Sequence, residues 1–471
     1  QIIKKLKINK NTINQKKQNY LFNSKILNKI IKKKKLYKFD GLAIDSRDIK
    51  KDNLFLALKG KNNDGNKFIS TAIKKGASYV ISSKKNKKNI SKIITVDNPI
   101  NFLNKFAKIK RDNCNAKILA ITGSAGKTSL KNILNILLQK YDTTYASPRS
   151  FNNHYGVPIS LSNLNPNHKF GVFEVGMSKA GEINQLSKMI KPNLAIITNI
   201  AEAHIENFKN IKGIAKAKSE IINNIQNNGT IVLNRDDKFF NYLNAKARLK
   251  NIKVITFGKS KKSDVRLIKI KQNNAIKNIT IKIKDEILKF RIKDINVYNV
   301  LASMAVLQEL DLNLQKSIQV FKNFEPSEGR GRIHKIKRYN KFFRLIDESY
   351  NANPFSVKNA LNNFSEIKKD NFKKYFLLGD MLELGKKSEI YHRELSRLIN
   401  SSDIDKVFVT GKKTLFTYKN LKKDKRGNIL QSNDDVDLIL KNIIANNDYL
   451  MIKGSNATGL NIISNAMIKG I

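Results

Sequence analysis

The 471-residue chain contains a single cysteine, no tryptophan and seven prolines. One cysteine, Cys114, can form neither a disulfide framework nor a cysteine-based metal site, so a reducing compartment fits. No apolar run approaches the ~20 residues that a membrane-spanning helix requires. The basic residues 1–10 lack the apolar core of a signal peptide. These absences predict a cytoplasmic protein without a membrane span.

Acidic residues are also scarce. The chain has 38 Asp and Glu and 90 Lys and Arg, which gives a formal net charge of +52. Such a charge can indicate a nucleic-acid or anionic-membrane partner. The lysines, however, are spread along the whole chain, and Asn and Ile are abundant too. This joint bias is typical of an AT-rich coding genome. We therefore predict no specific nucleic-acid partner, although the positive field favours anionic nucleotide substrates.

The clearest functional pattern follows the uncharged run Ile118–Ile121, which predicts a strand buried on both faces of a parallel sheet. The loop Gly-Ser-Ala-Gly-Lys-Thr at 123–128 comes next, and a helical apolar pattern follows it. Strand, glycine loop and helix form the context of a phosphate-binding loop. Ile121 occupies the first glycine of the strict G-x-x-x-x-G-K-[ST] pattern, so only the shorter T-G-S-x-G-K-T-S form fits. We predict that Lys127 contacts nucleotide phosphates and that Thr128 binds Mg²⁺.

The rest of the chain predicts an α/β protein of several domains. Alternating strands and helices in the centre favour a mostly parallel sheet with helices on both faces, and residues 264–293 alternate as antiparallel strands do. A last segment of ordinary domain size repeats the α/β alternation. A hinge is predicted at Pro326, and the Lys84–Lys92 charge run is predicted to be a solvated loop. The predicted domains are 1–98, 99–325 and 326–471.

Several polar residues stand where ligands bind in α/β sheets, at the carboxyl ends of strands. Glu174 ends an apolar strand, and a carboxylate beside a phosphate loop is a natural Mg²⁺ ligand, although an ordinary strand-end acid is the alternative. His204 follows the next strand, where a lone histidine is more often a surface or core residue. Lys218 lies on a helix among other lysines, and its spacing alone favours a solvated face.

Three stretches of the last segment also follow strands. They are Asp-Glu-Ser-Tyr-Asn-Ala-Asn-Pro at 347–354, Gly-Asp-Met-Leu-Glu-Leu-Gly at 379–385, and Lys-Gly-Ser at 453–455. Each one alone predicts a turn. Three at one edge of a sheet indicate a substrate site.

Together with the phosphate loop, and with His392 after the second stretch, these motifs resemble the Mur ligase family, the ATP-dependent enzymes that build the peptide of bacterial cell-wall precursors. The resemblance runs from about Gly41 to the C-terminus. It implies a small N-terminal α/β domain that holds the UDP end of the substrate, a central P-loop ATPase-type domain and a C-terminal Rossmann-like domain. The last-domain motifs imply the activity that adds D-alanyl-D-alanine to UDP-N-acetylmuramoyl-tripeptide.

The resemblance also implies a role for individual residues. The implied nucleotide site comprises Gly123, Ser124, Ala125, Gly126, Lys127, Thr128, Ser129, Asn296, Arg330 and Asp347. The implied Mg²⁺ ligands are Thr128, Glu174, His204 and Lys218, the last as a carbamate. The implied substrate contacts are Asp45, Ser46, Arg47, Lys59, Asn152, Asn153, Asn351, Asn353 and Lys453. The implied catalytic residues are Lys127, Lys218, His204 and Arg330. Arg332 remains an alternative to Arg330, and Ile295 stands where the family often has His before the adenine-contacting Asn296.

The implied reaction is amide formation, in which ATP converts a substrate carboxylate to an acyl phosphate and the amine of D-alanyl-D-alanine attacks it. A monomer acting on small molecules is expected. Another amide ligase of the superfamily, such as a folylpolyglutamate synthase, is the nearest alternative, and a basic P-loop ATPase on nucleic acid is a more distant one. The third residue of the accepted peptide, meso-diaminopimelate or lysine, stays open.

Overall fold

Four short parallel strands form the N-terminal sheet in the computed structural model, which describes residues 2–60, 63–84, 90–273, 276–293 and 295–470. The strands are β1 Leu42–Ala43, β2 Leu54–Leu56, β3 Tyr79–Ser82 and β4 Ile93–Thr95. The helices of this part are α1 Ile2–Ile31, α2 Ile69–Lys74 and α3 Pro99–Asp112. Burial of Ile26 and Leu27 joins α1 to the core around Phe39. Within the described ranges, no helix combines the length and the apolarity that a bilayer span needs.

The predicted domain boundary near Asn98 lies at the start of α3, and the Asn98 side chain caps that helix. Phe102 and Phe106 of α3 nevertheless pack into the N-terminal core with Phe39. The division into domains therefore stays a prediction. Residues 85–89 of the predicted charged loop lie outside the described residues, and Ile90–Lys92 forms a 3₁₀ turn.

The central sheet has nine strands in the order β13-β12-β11-β10-β9-β8-β5-β7-β6. Their bounds are β5 Lys117–Thr122, β6 Thr144–Ala146, β7 Phe170–Glu174, β8 Leu194–Ile197, β9 Thr230–Asn234, β10 Lys253–Gly258, β11 Val265–Asn273, β12 Ile276–Ile283 and β13 Glu286–Lys293. The strands from β6 to β11 pair in parallel, whereas β11, β12 and β13 pair antiparallel. Both sheet types were predicted. Residues 118–121 of β5 are fully buried, because the strand lies between β8 and β7 with apolar cover on both faces.

Helices cover both faces of this sheet. They are α4 Lys127–Leu138, α5 Gly156–Ser162, α6 Glu182–Ile190, α7 Ile211–Lys218, α8 Phe240–Arg248, α9 Val297–Glu309 and α10 Gln315–Asn323. The apolar side chains of α4 and α9 share one core with β5 and β9, while those of α5, α6 and α7 share the core of the opposite face. The predicted buried strands therefore have apolar cover on each side.

The C-terminal sheet has six strands in the order β14-β15-β19-β16-β17-β18, of which only β14 runs antiparallel to its neighbour. The strands are β14 Arg332–Arg338, β15 Lys341–Glu348, β16 Lys374–Gly379, β17 Lys406–Thr410, β18 Arg426–Leu430 and β19 Tyr449–Lys453. The helices are α11 Pro354–Ser365, α12 Ser388–Asn400, α13 Thr414–Lys419, α14 Asn433–Asn442 and α15 Leu460–Lys469. Since β15, β19 and β16 are neighbours, the three motifs that follow them meet at one edge, as predicted.

A buried lysine lies between the N-terminal and central parts. Lys110 of α3 is fully buried, its Nζ donates to Asn165 Oδ1 at 3.0 Å, and it lies 5.0 Å from the ring centre of Phe22. Burial lowers the pKa of Lys110 from 10.5 to about 7. Between these two values the unfolded chain binds more protons than the folded chain, so stability rises with pH. The destabilisation caused by burying the Lys110 amine is thus fully present below pH 7 and decreases as the pH rises towards 10.

We expect Lys110→Met to remove this pH dependence, because methionine fills the same space without a charge. The difference in free energy of unfolding, Met variant minus unsubstituted protein, should grow by up to about 1.4 kcal/mol per unit as pH falls from 10 to 7. Urea unfolding at several pH values measures it. The exposed Lys105→Met variant is the matched control. An equal pH dependence in the Lys110 and Lys105 variants would contradict the prediction.

Candidate active site

The phosphate-binding loop is fixed to the end of β8. Gly123 has φ 147°, and a Cβ there would lie 1.9 Å from Thr198 Oγ1, so only glycine fits this close approach. Thr198 Oγ1 donates to the Ala125 carbonyl oxygen at 2.6 Å, and the Ala125 N–H donates to Asn199 Oδ1 at 3.0 Å. Gly126, at φ 83°, precedes the first residue of α4. Together these bonds hold an open loop at a helix N-terminus, where anions bind.

Lys127 lies within this loop, where its Nζ donates to the Gly123 carbonyl oxygen at 2.8 Å. The side chain is half-buried. Burial lowers the pKa of Lys127, and the nearby Arg330 lowers it further, against the opposing effect of Glu174. The ammonium group is therefore held in a desolvated position that an anionic phosphate would stabilise.

Behind the loop, oxygen-bearing side chains meet at Glu174, whose side chain is almost completely buried at the end of β7. Thr128 Oγ1 donates to one carboxylate oxygen at 2.7 Å, and Asn152 Nδ2 donates to the other at 2.7 Å. No cationic side chain of the described residues lies within ion-pair distance of Glu174. A buried carboxylate without a cationic partner, beside a hydroxyl group, has the hard oxygen donors that Mg²⁺ prefers.

His204 does not join this oxygen cluster in the structure. Its Nδ1 lies 2.6 Å from Glu383 Oε2 of the C-terminal domain, and this contact lowers the pKa of Glu383. Its backbone is left-handed, with φ 57°. Among the described residues, no three His, Cys, Asp or Glu side chains form a group that could hold a metal ion. The metal role of His204 stays a prediction, in which Glu383 holds Nδ1 and leaves Nε2 of the imidazole as the ligating atom.

Lys218 is buried, with 2% of its surface exposed, and is not on a solvated face as its spacing alone indicated. It is the last residue of α7 and lines the same cavity as the phosphate loop. Burial lowers the pKa of its amine well below the usual value, and Lys127 adds repulsion. The amine makes no hydrogen bond or ion pair with any residue that the structure describes. Lys218 is thus a desolvated amine facing the site.

The structure separates the two candidate arginines. Arg330 lines the cavity, its guanidinium lies 4.2 Å from the ring centre of Tyr350, and it donates to Ser150 Oγ at 3.1 Å. Arg332 pairs instead with Glu325 at 2.6 Å and is not among the residues that line the cavity. Ser150 Oγ is also 3.3 Å from Thr128 Oγ1, which links Arg330 to the phosphate loop. This geometry favours Arg330 as the arginine that reaches phosphate.

The motifs of the C-terminal sheet complete the opposite wall. Lys453 is almost fully buried, and its Nζ donates to Glu348 Oε2 at 3.0 Å and to the Asn351 carbonyl oxygen at 3.1 Å. Asn353 caps α11 and donates from Nδ2 to the Ser124 carbonyl oxygen at 3.5 Å. The last contact joins the C-terminal domain directly to the phosphate loop.

One cavity of about 1020 Å³ connects these groups. Its lining contains residues predicted from the sequence, namely Gly123–Ser129, Asn152, Asn153, Glu174, His204, Lys218, Asn296, Arg330, Asn351, Asn353 and Lys453. The volume is at the upper end of the range for small-molecule sites. Phosphate loop, oxygen cluster, buried amine and last-domain motifs therefore share one chamber between two domains.

Some predicted residues lie outside this chamber. Asp347 is buried, but its carboxylate accepts from the Gly329 N–H at 2.5 Å and from Ser349 Oγ at 2.6 Å, and it is not among the lining residues. Its nucleotide contact stays a prediction, and in the structure Asp347 supports the loop that carries Arg330. His392 is buried and accepts at Nε2 from the Met381 N–H, which supports the second last-domain motif.

The predicted UDP-binding residues are in the N-terminal domain. Asp45 caps a 3₁₀ turn and pairs with Arg47 at 2.6 Å, and Ser46 is buried in that turn. The Lys59 backbone pairs with Asp64 across a loop, of which residues 61–62 lie outside the described residues. These side chains are not among the residues that line the cavity. Any substrate site that includes them therefore extends beyond the cavity into the N-terminal domain.

Sequence reasoning missed several residues of the site. Ser150, Tyr350 and Glu348 line the cavity and position Arg330 or Lys453. Lys131 is buried and donates from Nζ to the Ser147 carbonyl oxygen at 2.7 Å and to that of Arg149, and so holds the loop before Asn152. Asn299, one turn after Asn296, donates to the Gly126 carbonyl oxygen at 3.4 Å. The motif at 347–354 contains Glu348 and Tyr350 without assigning them a role, and no sequence pattern marks Ser150, Lys131 or Asn299, because long-range contacts define them.

A phosphate-binding loop that faces a second α/β domain across a shared cavity defines a nucleotide-dependent enzyme with a two-domain active site. Comparison with known proteins identifies it more closely. Family models match at residues 38–116 (Mur ligase family, catalytic domain), 121–307 (Mur ligase middle domain) and 331–456 (Mur ligase, glutamate ligase domain). The chain belongs to the Mur ligase family, as its motifs predicted.

Individual relatives resemble this chain over nearly its full length. The chain is 34% identical over 427 residues to the UDP-N-acetylmuramoyl-tripeptide–D-alanyl-D-alanine ligase of Rickettsia prowazekii, which covers 90% of this chain and 94% of that protein. It is 32% identical to the ligase of the same name from Buchnera aphidicola subsp. Baizongia pistaciae, over 91% of this chain and 92% of that one. A crystal structure of MurF from Acinetobacter baumannii matches with a TM-score of 0.80 and 25% identity over 95% of this chain and 98% of that chain.

Proposed function

We propose that this protein is the ATP-dependent ligase that joins D-alanyl-D-alanine to UDP-N-acetylmuramoyl-tripeptide. The observation that carries the proposal is the single cavity, in which Lys127 and Arg330 face the motifs at the ends of β15, β16 and β19. The names of the full-length relatives support the choice of substrates. We also propose that it acts in the cytoplasm as a monomer.

The first chemical step is phosphoryl transfer. The carboxylate of the bound tripeptide attacks the γ-phosphorus of ATP, ADP leaves, and an acyl phosphate forms. This step requires positioning and charge neutralisation more than covalent help. Lys127 exchanges its bond with the Gly123 carbonyl oxygen for one with a phosphate oxygen. Arg330, held against Tyr350, contributes a second positive charge to the phosphoryl group.

Thr128 and Glu174 would hold Mg²⁺ beside the phosphates, and the ion would neutralise phosphate charge there. Their arrangement fits this group because Glu174 is buried, is already bonded to the Thr128 hydroxyl and lacks a cationic partner in the described chain. Mg²⁺ binds proteins through one or two carboxylates and keeps water and phosphate oxygens as further ligands. A site with one carboxylate is therefore sufficient.

The second step is amide formation. The amine of D-alanyl-D-alanine attacks the acyl carbon, a tetrahedral intermediate forms and then expels phosphate, and the nitrogen loses a proton. Acyl phosphates hydrolyse in water, so the chamber must exclude solvent before the first step. Contacts such as that of Asn353 with Ser124 join the C-terminal domain to the phosphate loop at the edge of the chamber. A hinge in the connection 324–331 between α10 and β14 would let that domain open for substrates.

A phosphate-release assay tests this function. We expect release to require ATP and a UDP-N-acetylmuramoyl-tripeptide, and to rise strongly when D-alanyl-D-alanine is added. Parallel reactions with tripeptides ending in meso-diaminopimelate and in lysine identify the accepted precursor. Release that responds to folate and glutamate, or to nucleic acid, and not to the muramoyl-tripeptide, would contradict the proposal.

A further inference from the structure

The loop between β6 and α5 connects two parts of the molecule through alternate side chains. Ser150 and Asn152 point into the cavity, whereas Phe151 packs against the N-terminal core. Arg149 also faces the N-terminal domain, because its Nη2 donates to Asp48 Oδ1 at 2.7 Å. This loop therefore spans the distance between the predicted UDP-binding turn and the chamber where phosphoryl transfer is proposed.

The backbone of Arg149 is unusual for its residue type. Its φ is 46°, in the left-handed region that glycine adopts without strain. Its carbonyl oxygen accepts from the buried Lys131 Nζ, and this bond fixes the conformation. A non-glycine residue persists in such a conformation when its surroundings impose it, and such residues concentrate at functional sites.

The side chain of Arg149 reaches a cluster of mixed charge on the N-terminal domain. Asp48 lies at hydrogen-bond distance, and Asp45 pairs with Arg47. Arg47 lowers the pKa of Asp45 most, and Arg149 lowers it further, so both arginines act on the same carboxylate. The Arg149 and Arg47 side chains are mostly exposed, at 62% and 82%. Exposed ion pairs of this kind stabilise a fold little, so both arginines can exchange carboxylates for another anion.

We propose that Arg149 is a specificity-determining contact for the diphosphate group of the nucleotide-linked substrate, which it binds together with Arg47. The inference rests on the proposed function and adds a central-domain residue to a site otherwise predicted in the N-terminal domain. A guanidinium group binds phosphate oxygens through two parallel N–H bonds. The next residue, Ser150, already lines the chamber, so a substrate anchored at Arg149 extends its peptide towards Lys127.

The alternative role of Arg149 is that of a tether between domains through Asp48, with no contact to substrate. Substitution of Asp48 separates the two roles. If Arg149 only ties the domains together, Asp48→Asn and Arg149→Gly should have equal effects. If Arg149 binds the diphosphate, Asp48→Asn removes a competitor for the guanidinium, and substrate binding should be unchanged or tighter.

The test compares Arg149→Gly, Arg149→Lys and Asp48→Asn in steady-state ligation. Glycine is the matched substitution, because it keeps the left-handed backbone and the carbonyl bond to Lys131 while it removes the guanidinium. We expect Arg149→Gly to raise the KM for UDP-N-acetylmuramoyl-tripeptide at least tenfold. The kcat and the KM values for ATP and D-alanyl-D-alanine should stay within about threefold. Arg149→Lys should be intermediate, because it keeps the charge without the two parallel bonds.

Competitive inhibition gives a second readout that does not depend on turnover of altered substrates. The Ki of UDP should rise tenfold in Arg149→Gly, whereas the Ki of N-acetylmuramoyl-tripeptide without a nucleotide should not change. An unchanged KM in Arg149→Gly, or equal losses in Asp48→Asn and Arg149→Gly, would overturn the role of Arg149 and leave the proposed function intact. If the unsubstituted protein fails to ligate UDP-N-acetylmuramoyl-tripeptide, both proposals are wrong.

Discussion

Lys127→Ala is expected to lower kcat for ligation by about 10²- to 10³-fold while the protein remains folded. The lysine neutralises charge on the transferring phosphoryl group, and a single well-placed donor to a developing charge is worth about 10²–10³ in rate. In the structure its ammonium group is half-buried, and its only hydrogen-bond partner among the described residues is the Gly123 carbonyl oxygen. Its removal therefore breaks one hydrogen bond and relieves a desolvated charge, which leaves the fold intact.

The measurement is phosphate release by Lys127→Ala under saturating substrates, with the thermal unfolding temperature recorded for the same preparation. Lys140→Ala is the matched control, because Lys140 is exposed just beyond α4. The control should ligate at the unsubstituted rate. Near-normal ligation by a folded Lys127→Ala protein would show that the loop 123–128 does not serve phosphoryl transfer.

The phosphate loop could be predicted because its signals are local. Buried strand, glycines and amphipathic helix occur within about twenty-five consecutive residues, and the structure reproduces them as β5, the loop and α4. Strands at the edges of a sheet were harder to predict from the sequence. β14 and β18, which border the C-terminal sheet, carry several charged or polar residues and are only partly buried. Edge strands lose the apolar pattern because one side faces solvent.

The positions of the buried lysines show a second limit of sequence reasoning. Lys110 and Lys218 occur in helices beside exposed lysines, Lys131 follows the half-buried Lys127 in α4, and the spacing of Lys218 alone favoured a solvated face. Their burial depends on elements that pack against them from distant parts of the chain, such as Asn165 on Lys110 and the loop carbonyl oxygens on Lys131. In a chain with 90 Lys and Arg residues, the sequence alone does not distinguish the few buried cations from the many exposed ones.

Contacts between domains are a third feature that could not be predicted from the sequence. Neither the pairing of His204 with Glu383 nor that of Arg149 with Asp48 follows from local sequence, because the partners are far apart in the chain. The resemblance to the Mur ligases supplied the candidate list instead, and the structure places most of that list around one cavity. What the list could not supply were the groups that hold the listed residues, such as Tyr350 against Arg330.

Lys218 is the residue for which burial changes the expected chemistry most. We predict that its neutral amine attacks CO₂, forms a carbamate and releases a proton, so that the side chain becomes an anionic oxygen donor for a second Mg²⁺. Only a neutral amine can react, and burial together with Lys127 lowers the pKa of Lys218 well below its usual value. The amine is also free of hydrogen bonds to the described residues and faces the cavity. Hard oxygen ligands suit Mg²⁺, whereas an ammonium group repels it.

Lys218→Ala is therefore expected to lower kcat by about 10²-fold or more, in the range seen when a group that stabilises charge is lost. Acetate or formate should restore part of the activity by occupying the place of the carbamate, whereas short amines should not. The exposed Lys216→Ala variant, two residues away on α7, is the matched control and should retain full activity. Independently of activity, protein equilibrated with ¹³CO₂ should give a carbamate carbon resonance that Lys216→Ala keeps and Lys218→Ala loses. Full activity of Lys218→Ala, rescue by amines alone, or absence of that resonance in the unsubstituted protein would each show that Lys218 acts as a plain amine.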